Sequence, residues 1–289
     1  MPELPEVETV VRGLRRSGIC GKRIEGARVG WSRTLSGMTP DRFSAAICGV
    51  SVVKITRRAK YIVMQLSSGS CLLIHLRMTG SLRVTAADAP KDPYERVALL
   101  FADERELRFR DTRKFGRWYL VADANEVLGR LGPEPLSGVF SVDAFASMLA
   151  THRRMLKPLL LDQTFLAGLG NIYVDEALFT ARLHPCRIAN TLQLDEISYL
   201  YDAIRAVLQL GIARMGTSLG AGAVNFYSVA GRRGRNQDAL QVFRRDGLPC
   251  PVCGNVIARI VVGQRSTHVC KHCQPLPRRA LRPRAAQKS

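Results

Sequence analysis

At 289 residues and 46% hydrophobic content, the chain is long enough for two or three domains with ordinary cores. Its 43 Lys and Arg against 24 Asp and Glu leave a net charge of +19, which points to a polyanionic partner, nucleic acid ahead of an acidic membrane. No apolar run approaches the roughly 20 residues of a membrane span and the start lacks a signal-peptide pattern, so a cytoplasmic protein is expected, with its eight cysteines as thiols or metal ligands rather than disulfides.

The opening "MPELPEVETVVRGL" is acidic in a basic protein. Pro5, Glu6 and Glu8 suit the first turn of a helix, and Val7, Val10, Val11 and Leu14 form its apolar stripe. Neither feature explains Pro2 and Glu3. Removal of Met1, which a small following residue favours, leaves Pro2 with a free secondary amine. An α-amine with a pKa of about 8 is partly unprotonated at neutral pH and therefore nucleophilic. Its attack on a sugar carbon yields an iminium, an electron sink for elimination, and a neighbouring carboxylate can move the protons.

From Val50 to Val121, short β-rich runs alternate with turn signals: "YIVMQL" (61–66), "CLLIHL" (71–76), "VALLFA" (97–102), "LRFRD" (107–111) and "RWYLV" (117–121). They predict an antiparallel meander, with 83–95 as a polar loop. "GRLGPEPLSG" (129–138) reads as a linker. Helices are predicted over 141–152, capped by Ser141, and over 194–215, where apolar residues recur at helical spacing. The Gly- and Arg-rich stretch 216–237 reads as a mobile loop.

Cys250 and Cys253 form one C-x₂-C pair and Cys270 and Cys273 another, sixteen residues apart. Two such knuckles joined by a hairpin fit a closed tetrahedral Cys₄ site for one structural Zn²⁺; the competing set completes the ligation with His268 or His272. Cys20, Cys48, Cys71 and Cys186 lack such spacing and read as ordinary buried thiols. The tail beyond 274 holds five basic residues and no acid, and reads as disordered and attracted to phosphate.

Six stretches, "MPELPEVETVVRGL", "RRAKYIV" (57–63), "LLIHLRMTGSL" (72–82), "RDTRKFG" (110–116), "GLGNIYVDEALF" (168–179) and "GQRSTHVCKHCQ" (263–274), together resemble formamidopyrimidine-DNA glycosylases, in family order along nearly the whole chain. The resemblance implies a multidomain α+β protein. Its parts would be an N-terminal antiparallel β-sandwich with an N-terminal helix (1–128), a linker (129–140), a helical helix-two-turn-helix domain with a lesion-capping loop (141–237), a β-hairpin zinc finger (238–274) and a basic tail (275–289). It implies a monomer acting on damaged double-stranded DNA held between the two halves, at the bacterial nucleoid, with no membrane partner. The implied reaction removes oxidised purines and then cuts the abasic strand by β,δ-elimination.

The resemblance also implies roles. Pro2 would attack the sugar C1′, Glu3 would shuttle protons, and Glu6 would support the site. Lys60 would grip a phosphate beside the lesion, and Asn171 and Arg265 would pinch the damaged strand. Met78, Arg113 and Phe115 would fill the hole left by the flipped base, a task suited to an apolar wedge, a ring and a guanidinium. Lys157 would lie near the lesion pocket and His75 would touch the DNA backbone. Taken without the resemblance, Met78 and Phe115 read as meander core, Lys60 and Arg265 as surface charges, Asn171 as a helix cap and His75 as a core histidine. Leu4 in "PELPE" favours the purine branch over endonuclease VIII-like enzymes for oxidised pyrimidines. A catalytically idle damage-binding relative is the third alternative.

Overall fold

The structure, a computed structural model, describes residues 2–220 and 226–276. The expected basic tail from 277 onward and the tip of the expected loop, 221–225, lie outside the described residues. The chain divides into two compact units, Met1–Leu131 with Gln209–Ala239, and Gly132–Leu208 with Leu240–Ser289.

The first unit opens with α1 (Leu4–Arg16), whose Val7, Val10, Val11 and Leu14 are all buried, as the stripe requires. It continues through β1 (Ile24–Val29), α2 (Pro40–Ile47), β2 (Val52–Arg58), β3 (Tyr61–Leu66), β4 (Cys71–His75), β5 (Ser81–Ala86), β6 (Glu95–Phe101), β7 (Arg105–Arg110), β8 (Arg117–Val121) and the short α3 (Asn125–Leu128). The strands do not make one meander. They form two four-stranded antiparallel sheets, ordered β1-β6-β7-β5 and β2-β3-β4-β8.

Both sheets and α1 feed one core, including Ile62, Met64, Leu72 and Ile74 from one sheet and Val97, Leu99, Leu107 and Phe109 from the other. The expected loop 83–95 is shorter than the sequence indicates, because β5 runs to Ala86 and pairs with β7. Across β1, β6 and β7, Arg28 grips both oxygens of Glu106 (3.1 and 2.8 Å) and also reaches Glu95 (2.9 Å). Residues 209–239, which the sequence attaches to the helical domain as far as 237, pack with this unit: Val229 belongs to its core and meets α1 at Gly13.

The second unit contains α4 (Val142–Ala150), capped by the Ser141 hydroxyl, α5 (Leu156–Leu160), α6 (Asn171–Thr180) and the body of α7 (Leu194–Ala213). β9 (Ala258–Val262) and β10 (Arg265–Val269) then make a hairpin. Its two-residue loop, Gly263 and Gln264, has positive φ at both positions (55° and 61°), the geometry that matches the right-handed twist of a hairpin. Glu176 on α6 is buried and accepts three successive backbone N–H groups, from Gln241, Val242 and Phe243 (2.8, 3.0 and 2.8 Å), which fixes the approach to the cysteine module. No helix among the described residues is long and apolar enough to cross a membrane.

Candidate functional site

The first turn of α1 brings two acids together. Glu3 is the N-cap residue, with extended backbone (φ −103°, ψ −172°), and it shares a reciprocal capping box with Glu6. Glu6 Oε2 accepts from the Glu3 N–H at 2.8 Å, while Glu6 Oε1 accepts from the Thr217 N–H at 2.7 Å. Pro2, Glu3 and Glu6 are all buried. Glu6, expected to support the site, is an internal brace: both carboxylate oxygens are occupied by backbone donors. Gly216 makes this contact possible, since its φ is +79° and an added Cβ would lie 2.9 Å from the Glu6 side chain.

The arms of 216–237 are closely bonded, in contrast to the mobile loop expected. Ser218 Oγ donates to the Phe226 carbonyl (2.6 Å) and accepts from Gly234 (3.0 Å), and Asn236 Nδ2 donates to Thr217 Oγ1 (3.0 Å). Thr217 carried no signal in the sequence beyond its place at the start of that stretch.

Lys60 and His75 are both buried in the same unit. The His75 ring packs edge-on against Tyr61, its partner across β3 and β4 (centroids 4.7 Å apart), and its Nδ1 accepts from the Arg77 N–H at 2.9 Å. Burial, aided by the nearby charges of Arg77 and Lys60, holds its pKa down to about 3. His75 is thus neutral at physiological pH and carries its proton on Nε2, which leaves it one neutral N–H rather than a cation.

Met78, Arg113 and Phe115 are brought together at the tips of two turns, Leu76–Gly80 and Asp111–Gly116. Met78 and Phe115 are 43% and 45% exposed, which removes the core reading. The Arg113 guanidinium lies 4.8 Å from the Phe115 ring centroid, and its Nη1 is 3.2 Å from Met78 Sδ.

In the second unit, Asn171 opens α6 and its Nδ2 donates to the Ser266 carbonyl at 2.9 Å, next to the exposed Arg265. Lys157 differs from expectation. It is completely buried, with Nζ 2.5 Å from Asp175 Oδ1 and 2.9 Å from the same Ser266 carbonyl. The other Asp175 oxygen accepts from the His268 N–H (2.9 Å) and faces His268 Nδ1 (3.0 Å). Lys157 therefore braces the hairpin that presents Arg265 and offers no exposed charge to a lesion. The sequence signal for Asp175 is its position one helical turn after Asn171, on the same face.

The Sγ atoms of Cys250, Cys253, Cys270 and Cys273 lie within 4.8 Å of one another, with Cys250 and Cys273 at 3.8 Å and Cys253 and Cys270 at 3.4 Å. Tetrahedral Zn²⁺ with Zn–S bonds of about 2.3 Å needs sulfurs about 3.8 Å apart, so the set fits a closed structural site, one that cross-links two knuckles and leaves no open coordination position. His268 points to Asp175 and not to the sulfurs, which removes it as an alternative ligand. The remaining cysteines are less uniform than expected: Cys186 is buried, Cys71 is half-buried, and Cys20 and Cys48 are exposed, because spacing carries no information on burial.

Three family models match: the formamidopyrimidine-DNA glycosylase N-terminal domain over residues 1–118, its H2TH domain over 131–221, and a zinc finger found in FPG and IleRS over 247–276. A formamidopyrimidine-DNA glycosylase of Protochlamydia amoebophila is 47% identical over 274 residues, spanning 95% of this chain and 99% of that protein. Among solved structures, a Lactococcus lactis FPG mutant in complex with Fapy-dG-containing DNA superposes with a TM-score of 0.88 at 36% identity, covering 95% of this chain and 100% of that one. The Lactococcus lactis Fpg in complex with DNA containing an abasic site gives 0.87 at 35% identity, over the same shares.

The His75 environment yields a pH prediction. In the unfolded chain His75 titrates at about 6.5, so as pH falls the unfolded state takes up the proton first. Stability from this group is complete above about pH 6.5 and is lost as pH drops towards about 3. The unfolding free-energy difference between wild type and His75→Gln, measured by denaturant titration, should change by about 1.4 kcal/mol per pH unit across that window. A pH-independent difference would contradict the buried neutral state.

Proposed function

The chain belongs to the formamidopyrimidine-DNA glycosylase family, and from that premise we propose that it excises oxidised purines from duplex DNA and cleaves the resulting abasic strand. The observation that carries this reading is the head of α1: a buried N-terminal Pro2 followed by a buried carboxylate, Glu3, whose backbone is fixed by Glu6.

In the proposed reaction the Pro2 amine, free once Met1 is removed, attacks C1′ of the damaged nucleoside. The N–C1′ bond forms as the bond to the base breaks, and the departing base takes a proton. Glu3 assists opening of the sugar by moving a proton to the ring oxygen, which leaves an iminium between Pro2 and the open sugar. The iminium acidifies the adjacent C2′–H; loss of that proton expels the 3′ phosphate, and a second elimination expels the 5′ phosphate. Glu6, braced between Glu3 and Thr217, holds the acid in place without touching substrate.

Lys60, Asn171 and Arg265 are proposed to hold phosphates around the lesion, and Met78, Arg113 and Phe115 to occupy the gap in the stack. The exposure of the latter three at paired turn tips supports that assignment. Zn²⁺, when bound to the four cysteines, supplies a cross-link and no catalysis. Damaged duplex DNA is the proposed partner of a monomeric protein acting in the cytoplasm.

Borohydride trapping tests the chemistry. Wild type should form a covalent adduct with 8-oxoguanine and formamidopyrimidine duplexes, and Glu3→Gln should lower base excision by about 10²- to 10⁴-fold. Absence of adduct, or a yield unchanged by Pro2→Gly, overturns the mechanism; equal cutting at thymine glycol overturns the purine assignment. Zinc removal gives an independent test, because both tryptophans, Trp31 and Trp118, lie in the first unit. Chelation should abolish DNA binding while tryptophan fluorescence stays native. Retained affinity in zinc-free protein would separate Arg265 from the metal.

A further inference from the structure

The turns that carry Met78, Arg113 and Phe115 meet on a single buried carboxylate. We propose that Asp111 is a positioning residue that locks these two turns to each other, and so sets how the three exposed side chains enter the duplex; this rests on the function proposed above.

Asp111 has no exposed surface. Its Oδ1 accepts from the Thr79 hydroxyl on the first turn and from the Arg113 N–H at 3.2 Å on the second. Its Oδ2 accepts from the Gly116 N–H at 2.7 Å, which closes the second turn behind Phe115. The Asp111 carbonyl receives Arg96 Nε at 2.8 Å, and its own N–H donates to Tyr94, so the backbone of the anchor is itself held. Thr79 Oγ1 also accepts from the Arg113 N–H at 3.2 Å, a direct second link between the turns.

The Phe109 ring fills the space beneath. A side chain at Gly80 would stand 2.8 Å from that ring, and one at Gly116 would overlap it, so both turns rest directly on the ring with no slack. Met78 lies one residue before Thr79, and Phe115 one residue before Gly116. The two tips therefore have little freedom except through the groups that Asp111 holds.

The chemistry of the anchor is specific to a carboxylate. Three donors converge on two acceptor oxygens, whereas an amide offers one oxygen and two donors of its own. Asn at this position would set an NH₂ against either the Gly116 N–H or the Thr79 and Arg113 pair, which frees one side of the clamp.

Asp111→Asn is tested on three substrates: a lesion paired with cytosine, the same lesion opposite a missing nucleotide, and a preformed abasic site. Filling the stack matters for the first and not for the other two. Excision from the paired duplex should fall about 10- to 100-fold, the range for losing a hydrogen bond to a charged group. Excision opposite the gap and borohydride trapping at the abasic site should stay close to wild type. Thr79→Val, which removes one donor and leaves the carboxylate, should show the same split with a smaller loss. Uniform loss on all three substrates, or undiminished excision from the paired duplex, overturns the role of Asp111 while leaving the Pro2 chemistry intact. Wild type that forms no adduct overturns both.

Discussion

A carboxylate taken out of water must find donors within reach, and the backbone N–H groups of a neighbouring segment are the most abundant ones. In this protein that requirement organises the loops. Glu6 collects the N–H groups of Glu3 and Thr217, Asp111 those of Arg113 and Gly116, Asp175 that of His268, and Glu176 those of three successive residues from Gln241. Glu6, Asp111 and Glu176 each tie a strand end or helix to irregular backbone, and Asp175 ties α6 to the hairpin strand β10. Leaving any of these donors unmet costs about 1–3 kcal/mol, enough to hold a turn in one conformation. Glu106 makes the contrast: it satisfies its charge with side chains, Arg28 across the sheet and Arg108 on its own strand, and stiffens strands instead of loops.

What the sequence reveals is what short-range pattern controls. The α1 stripe, the Ser141 cap, the paired cysteines and the hairpin between them are each written within a short stretch, and each appears where the pattern puts it. Sheet partition is not local. Alternation marks a strand but not its neighbour, so β5 joins β7 and β8 joins β4 without any signal in the runs themselves. β1 escapes notice because only Ile24 of its six residues is fully buried. The same limit applies to side chains: residue type declares the charge of Lys157 and the polarity of His75, but only tertiary packing declares that one is consumed in an ion pair and the other held neutral. Thr217 and Asp111 are invisible for a related reason. Their work is done through bonds to side chains far away in the sequence, Glu6 and Asn236 for Thr217 and Thr79 for Asp111.

The net charge of +19 also needs dividing before it says anything about phosphate. Arg28, Arg105 and Arg108 are engaged by Glu106, Asp103 and Glu95, and Lys157 is sealed beside Asp175. Arg113 and Arg265, by contrast, are exposed on a tight turn and immediately after one. Both turns have their backbones fixed from beneath, one by Asp111 and the other through the Ser266 carbonyl, which Lys157 and Asn171 hold together. A cation on a fixed turn loses only side-chain freedom when it meets an anion, whereas one on a loose loop must also order its backbone. The buried groups beneath the turns thus act on the exposed bases without touching their guanidinium groups, by removing in advance the backbone entropy that binding would otherwise cost.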